Sequence, residues 1–233
     1  DGVNQLAQGE RDFADSTATA NGGTGSGGQA APEAETSSGP VNVAAAIGIT
    51  IATVRAETII TPAVTAIVAG TSVTLSAGAN TDATSSADGS AAGSGSATIG
   101  AGVALTLANV TNRATVPAIL TVTAHDLTVA ALVQPDGADT TATFGAASTS
   151  GAGGGKISVA GSFALAVVNH TTLAAVYGTV ILTGGDATLT ATSAVASTVT
   201  ALPVGEGVSA SGDAGIGASV ALNLITDTTR ADV

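Results

Sequence analysis

Apolar and polar positions alternate along several stretches of this chain. In residues 100–116, GAGVALTLANVTNRATV, Val103, Leu105 and Leu107 fall on one side and Ala104, Thr106 and Ala108 on the other. Phe163, Leu165 and Val167 alternate with Ala164 and Ala166, and Val220, Leu222 and Leu224 with Ala221 and Asn223. A period of two belongs to a strand with one face in a core. The larger residues of each set are therefore expected to point inward. Thr121-Val122-Thr123 and Thr188-Leu189-Thr190 alternate likewise. Val, Ile and Thr dominate these runs, as strands prefer. No stretch keeps a 3.6-residue spacing, so essentially no helix is expected.

The alternating stretches repeat. Residues 42–58, 100–116, 160–176 and 217–233 can be laid over one another, the second and fourth most closely. They share Val103/Val220, Leu105/Leu222, Leu107/Leu224 and Arg113/Arg230. The first copy diverges most, with room for a register shift of a residue or two. A second motif follows each of the first three copies, opening at Gly70, His125 and Gly185, and a Gly/Ser/Ala-rich stretch then closes each unit, at 85–96, 145–155 and 205–215. The Gly clusters, such as Gly151–Gly155, predict connectors. They do not form a phosphate loop, because Lys156 is followed by Ile rather than Ser or Thr.

A period of about 58 residues holds three or four strands of ordinary length. One such unit cannot stabilise itself, whereas stacked neighbours bury a continuous strip. The expected fold is therefore all-β and elongated, a β-solenoid or a stacked β-sandwich. It divides into a divergent segment 1–40 (the tail of a preceding unit), repeats at 41–96, 97–155 and 156–214, and an opening strand at 215–233. The chain starts with Asp, and both ends fall mid-unit. That phase is expected of a piece of a longer array or of a subunit joining head to tail.

Composition changes this picture in two ways. The 233 residues include no Cys, Met or Trp, one Tyr and three Phe, so Ala and Val carry much of the apolar content. Small side chains bury little area each, which suits a long thin core better than a compact one. The formal net charge is −12, from five basic and seventeen acidic residues. Nucleic-acid binding needs a basic face to displace counterions, so it is not expected. No apolar run of about 20 residues supports a spanning helix. Four aromatic residues cannot supply the girdles of a membrane barrel, so membrane insertion is not expected.

Candidate chemistry is sparse. The carboxylates Asp82, Asp88, Asp136, Asp139, Asp186 and Asp213 are scattered in turns, and nothing pairs two of them for hydrolysis. No catalytic residue is expected, and the chain reads as a non-enzyme. Pro135-Asp136-Gly137-Ala138-Asp139 sets two hard oxygen donors about one turn, which makes Asp136 and Asp139 candidate Ca²⁺ ligands beside the plainer reading of an ordinary turn. No other cofactor is expected. His125 and His170 sit in different repeats, far from zinc spacing, and read as loop or strand-edge histidines. Asn109-Val-Thr111 and Asn169-His-Thr171 match the N-glycosylation pattern, which a Thr-rich chain also produces by chance.

The phrases GVALTLANVTNRATV, SVALNLITDTTRADV and GDATLTATSA resemble the repeats of giant bacterial extracellular β-solenoid proteins, the filamentous-haemagglutinin-like and adhesin-like surface proteins. The resemblance covers most of residues 41–233. It implies export to the cell surface, a β-rich shaft, and roles in adhesion, matrix or envelope coating, with no catalytic residues to transfer. The expectation is a structural component of an extracellular filament, sheath or surface layer, its partner a further copy or continuing repeats of itself. The shaft of a large adhesin is the alternative, and an ice-binding β-solenoid ranks below both. Val220, Leu222 and Leu224 mark the strand expected to carry assembly.

Overall fold

The computed structural model describes residues 41–93, 95–209 and 214–233, together with Asp12, Ser16 and Thr19, with side chains for all but 204–209. The expected preceding-unit tail, 1–40, otherwise lies outside the described residues. Asp12, Ser16 and Thr19 are helical and exposed.

The remainder is built of strands. They run β1 (Val41–Glu57), β2 (Ala66–Val68), β3 (Ser72–Gly78), β4 (Ala83–Ala92), β5 (Ala97–Val116), β6 (Thr121–Ala124), β7 (Asp126–Leu132), β8 (Ala142–Gly153), β9 (Ile157–Val176), β10 (Thr179–Leu182), β11 (Ala187–Thr192), β12 (Val195–Ser209) and β13 (Ala214–Asp232). Like follows like in space. The long strands form one sheet in the order β1-β5-β9-β13, and three further sheets run β10-β6-β2, β11-β7-β3 and β12-β8-β4. Every pairing among these strands is parallel. The long strands reach 20 residues in β5 and β9, well beyond the short strands expected.

The register matches most of the alignment read from the sequence. Val103, Phe163 and Val220 stand in one row, as do Leu105, Leu165 and Leu222, and then Leu107, Val167 and Leu224. The first copy is offset by two residues, so that Ile47 faces Val103 and Glu57, rather than Arg55, faces Arg113. A shift of two keeps every side chain on its own side of the sheet.

The direction of those rows is the reverse of the expectation. Ala104, Thr106 and Ala108 are buried, and Val103, Leu105 and Leu107 lie on the outer side, Leu107 40% exposed. In β9 the buried positions are Ala164 and Ala166, with Phe163, Leu165 and Val167 outward. Val220, Leu222 and Leu224 are 48%, 45% and 53% exposed. The cause is the wall opposite. The Gly/Ser/Ala-rich stretches expected as connectors are largely strands β4 and β8, which pack against the inner side of the long sheet. The two backbones come so close that a β-carbon at Gly89 would overlap the Ala101 carbonyl, one at Gly48 the carbonyl of Ser86, and one at Gly102 that of Thr149. Small residues line most of this gap, and a buried cluster of Ala87, Ala104, Ala146 and Ala164 fills it, with Val199 packed against it. Bulky alternates are left on the outside.

The interior widens along the long strands. Past Ala108 the inward residues of β5 become Val110, Asn112, Ala114 and Val116. Val110 and Val168 pack with Phe144 and Val133. Val116 joins Leu120, Val122, Leu127 and Val129, the broad end of a wedge closed by β6 and β7.

Candidate interaction surfaces

His170, expected at a loop or strand edge, is instead on the inward side of β9 with its side chain fully buried. Its Nδ1 lies 3.1 Å from Asp227 Oδ1 and 3.3 Å from Ser193 Oγ, and Ser193 Oγ donates to both Asp227 oxygens. Ser, His and Asp thus meet, but both partners crowd one nitrogen. Nucleophilic catalysis needs the hydroxyl on one ring nitrogen and the carboxylate on the other. Here Nε2 is enclosed without a hydrogen-bond partner. The cluster links β9, the loop after β11 and β13, with Ser193 and Asp227 partly exposed and His170 buried beneath them. The signal available in the sequence was parity: His170 shares the inward alternation of Ala164, Ala166 and Val168.

The other candidates separate. Asp136 and Asp139 form a small antiparallel bridge through their backbones, with Gly137 at φ 59° between them. Asp139 Oδ1 accepts a hydrogen bond from Thr141 N, as a turn carboxylate does. Among the described residues no cluster of three or more His, Cys, Asp or Glu side chains is placed to hold a metal ion. Asn109 and Asn169 face each other across β5 and β9 on the outer side.

The second-motif corners carry a local polar link. His125 Nδ1 lies 2.8 Å from Asp126 Oδ2, and Asp186 N donates to Asp126 Oδ1. These bonds, the histidine's first, hold the Asp126 carboxyl below its ordinary pKa. A carboxylate depressed on folding contributes stability that is present above its unfolded pKa and lost as the pH falls through the folded value. Asp126→Asn should therefore flatten the acid limb of a plot of Tm against pH, and an unchanged slope would show the link to be energetically silent.

Arg55, Arg113 and Arg230 lie toward one end of the long sheet. Arg55 pairs with Glu57 at 3.1 Å and Arg230 with Asp232 at 2.6 Å, each two residues along its own strand and so on one side. Arg113 and Arg230 share a row through Leu173, while Arg55 stands two residues away from it. Exposed pairs contribute about 0–1 kcal/mol. Arg113→Ala should leave the urea midpoint almost unmoved, and a collapse of the fold would show a buried role for the side chain.

What remains are two surfaces made by the backbone and by apolar side chains. The first is the pair of stack ends. β1, β2, β3 and β4 each terminate their sheets on one side, and β13, β10, β11 and β12 on the other. The second is the outer side of the long sheet, where the rows of Val103, Leu105 and Leu107 run from β1 to β13. Set against known protein families, curated proteins and solved structures, the chain matches none of them.

Proposed function

We propose that this chain is a structural segment of an extracellular filament, sheath or surface layer, built as a β-solenoid and joined head to tail. Paired strands of successive coils lie between 53 residues apart, as Ala142 and Val195, and 61 apart, as Ala83 and Phe144, a spread that brackets the period of about 58 residues proposed from the sequence. The observation that carries the reading is the pair of parallel stack ends, where β1, β2, β3 and β4 on one side and β13, β10, β11 and β12 on the other are the outermost strands of their sheets among the described residues. Such edges recruit further strands unless they are covered. β13 is an outermost strand of the long sheet, and in this reading a following copy or continuing repeats pair with it. Export to the cell surface rests on the likeness of the repeat text to giant bacterial surface proteins.

Deleting residues 217–233 tests the junction. Electron micrographs and sedimentation should show the wild-type chain forming end-to-end strings and the deleted chain remaining short, with β-type circular dichroism retained. Strings of normal length from the deleted chain would overturn the reading.

A second reading, the non-catalytic shaft of an adhesin, uses the same coils with binding located elsewhere on a longer polypeptide. An ice-binding surface has one row in its favour: Thr74, Thr128 and Thr188 stand side by side across β3, β7 and β11. The next outward row, Ser76, Ala130 and Thr190, is mixed, so no second threonine row completes a flat lattice.

A further inference from the structure

We propose that the outer side of the long sheet is a lateral docking surface for the same sheet of a second copy of this chain. The claim is independent of head-to-tail joining, because it concerns the flank of the stack and not its ends. Parity places Ile49, Leu105, Leu165 and Leu222 in one outward row, with similar apolar rows on either side of it. Exposure is high at the β1 side, where Ile47 is 72% accessible. Monomeric proteins seldom leave contiguous apolar patches beyond a few hundred Å². Four strands about 4.8 Å apart and eleven residues at about 3.3 Å each give a plan area of roughly 700 Å². A standard interface takes about 800 Å² from each partner, so this face is close to the size that a stable pair requires.

Charge selects the occupant. At a net charge of −12 two copies repel each other unless they meet through an uncharged surface. From the Val41 row to the Thr53 row, the outward positions of β1, β5, β9 and β13 carry no charged residue. Charges begin only beyond it, at Arg55, Glu57 and Arg113. Asp88, by contrast, projects from the opposite wall. A second copy also presents strands at the identical spacing, so its rows can nest into these along the whole face, as paired sheets do at about 10 Å separation.

The test uses the full chain at tens of micromolar. Because the chain has no cysteine, Leu105→Cys introduces a single reporter. Under mild oxidation it should yield a covalent dimer, whereas Thr128→Cys on another wall should yield little. The double variant Leu105→Lys/Leu165→Lys should lower the lateral pairing constant by at least a hundredfold in sedimentation while end-to-end strings persist. Leu105→Thr/Leu165→Thr, which keeps strand propensity, should weaken pairing with the fold demonstrably intact. Loss of strings without loss of pairing would count against the head-to-tail reading alone. Three results would overturn lateral pairing: failure of the Leu105→Cys dimer to form, a Leu105→Cys thiol shielded from maleimide in a monomer (which would assign the cover to residues 1–40), and flotation of a monomeric chain with phosphatidylcholine vesicles.

Discussion

Ala104→Leu should destabilise the fold severely, while Leu105→Ala, one residue on, should cost no more than about 2 kcal/mol. Ala104 is fully buried where the long sheet and the β4-β8-β12 wall nearly touch, beside Ala87, Ala146 and Ala164. Extra methylenes forced into a packed interior cost about 1–3 kcal/mol, and occasionally more. The upper end applies here because the obstacle is backbone. β-carbons at Gly89 and Gly102 would already collide with carbonyls across the gap, and neither sheet can recede without breaking its ladder. Leu105 loses only contacts with its row neighbours Ile49 and Leu165, and cross-strand pairs contribute about 0.2–1 kcal/mol each. Urea midpoints of the two variants decide the matter. Equal losses, or a greater loss for Leu105→Ala, would mean that the large residues and not the small ones form the interior.

That contrast also marks how far the sequence could be read. Strand identity, the period of two and the rows Val103-Phe163-Val220 and Leu105-Leu165-Leu222 were legible, because alternation and self-similarity depend on local pattern alone. Which side faces in was not. Alternation says that two faces differ; assigning the larger residues to the core assumes a core of ordinary thickness. In this chain the spacing between walls is set by glycines on both of them, Gly48 and Gly102 on one and Gly89 on the other, which lie far apart in sequence. The same glycines disguised β4 and β8 as connectors, since Gly, Ser and Ala are turn residues unless a facing sheet demands their smallness. The two-residue offset of the first copy was hidden because it leaves parity unchanged. The His170-Asp227-Ser193 cluster was hidden because its members join only when the third and fourth long strands are stacked.

Phe144→Ala should be among the most damaging truncations in the chain, at about 3–5 kcal/mol, and Phe163→Ala should cost far less. Alternation points to Phe163 as a core residue and gives Phe144 no role. Their environments are opposite. Phe144 is 1% exposed and heads the largest fully buried side chains. It sits where the interior begins to widen, packed with Val110, Val133 and Val168. Its neighbours along the ladder are Ala83 below and Ser197 above, neither able to move into the space that a lost ring would leave. The walls are fixed by parallel ladders on both sides, so the cavity cannot collapse, and the cost of truncation rises with the volume left empty. Phe163 points away from the interior, between Val103 and Val220 on the outer side, and its removal leaves a dent open to solvent. Denaturation of both variants as isolated chains, at a concentration too low for lateral pairing, separates the two. A larger loss for Phe163→Ala would reverse the inside and outside of the long sheet and with them the apolar flank offered to a second copy.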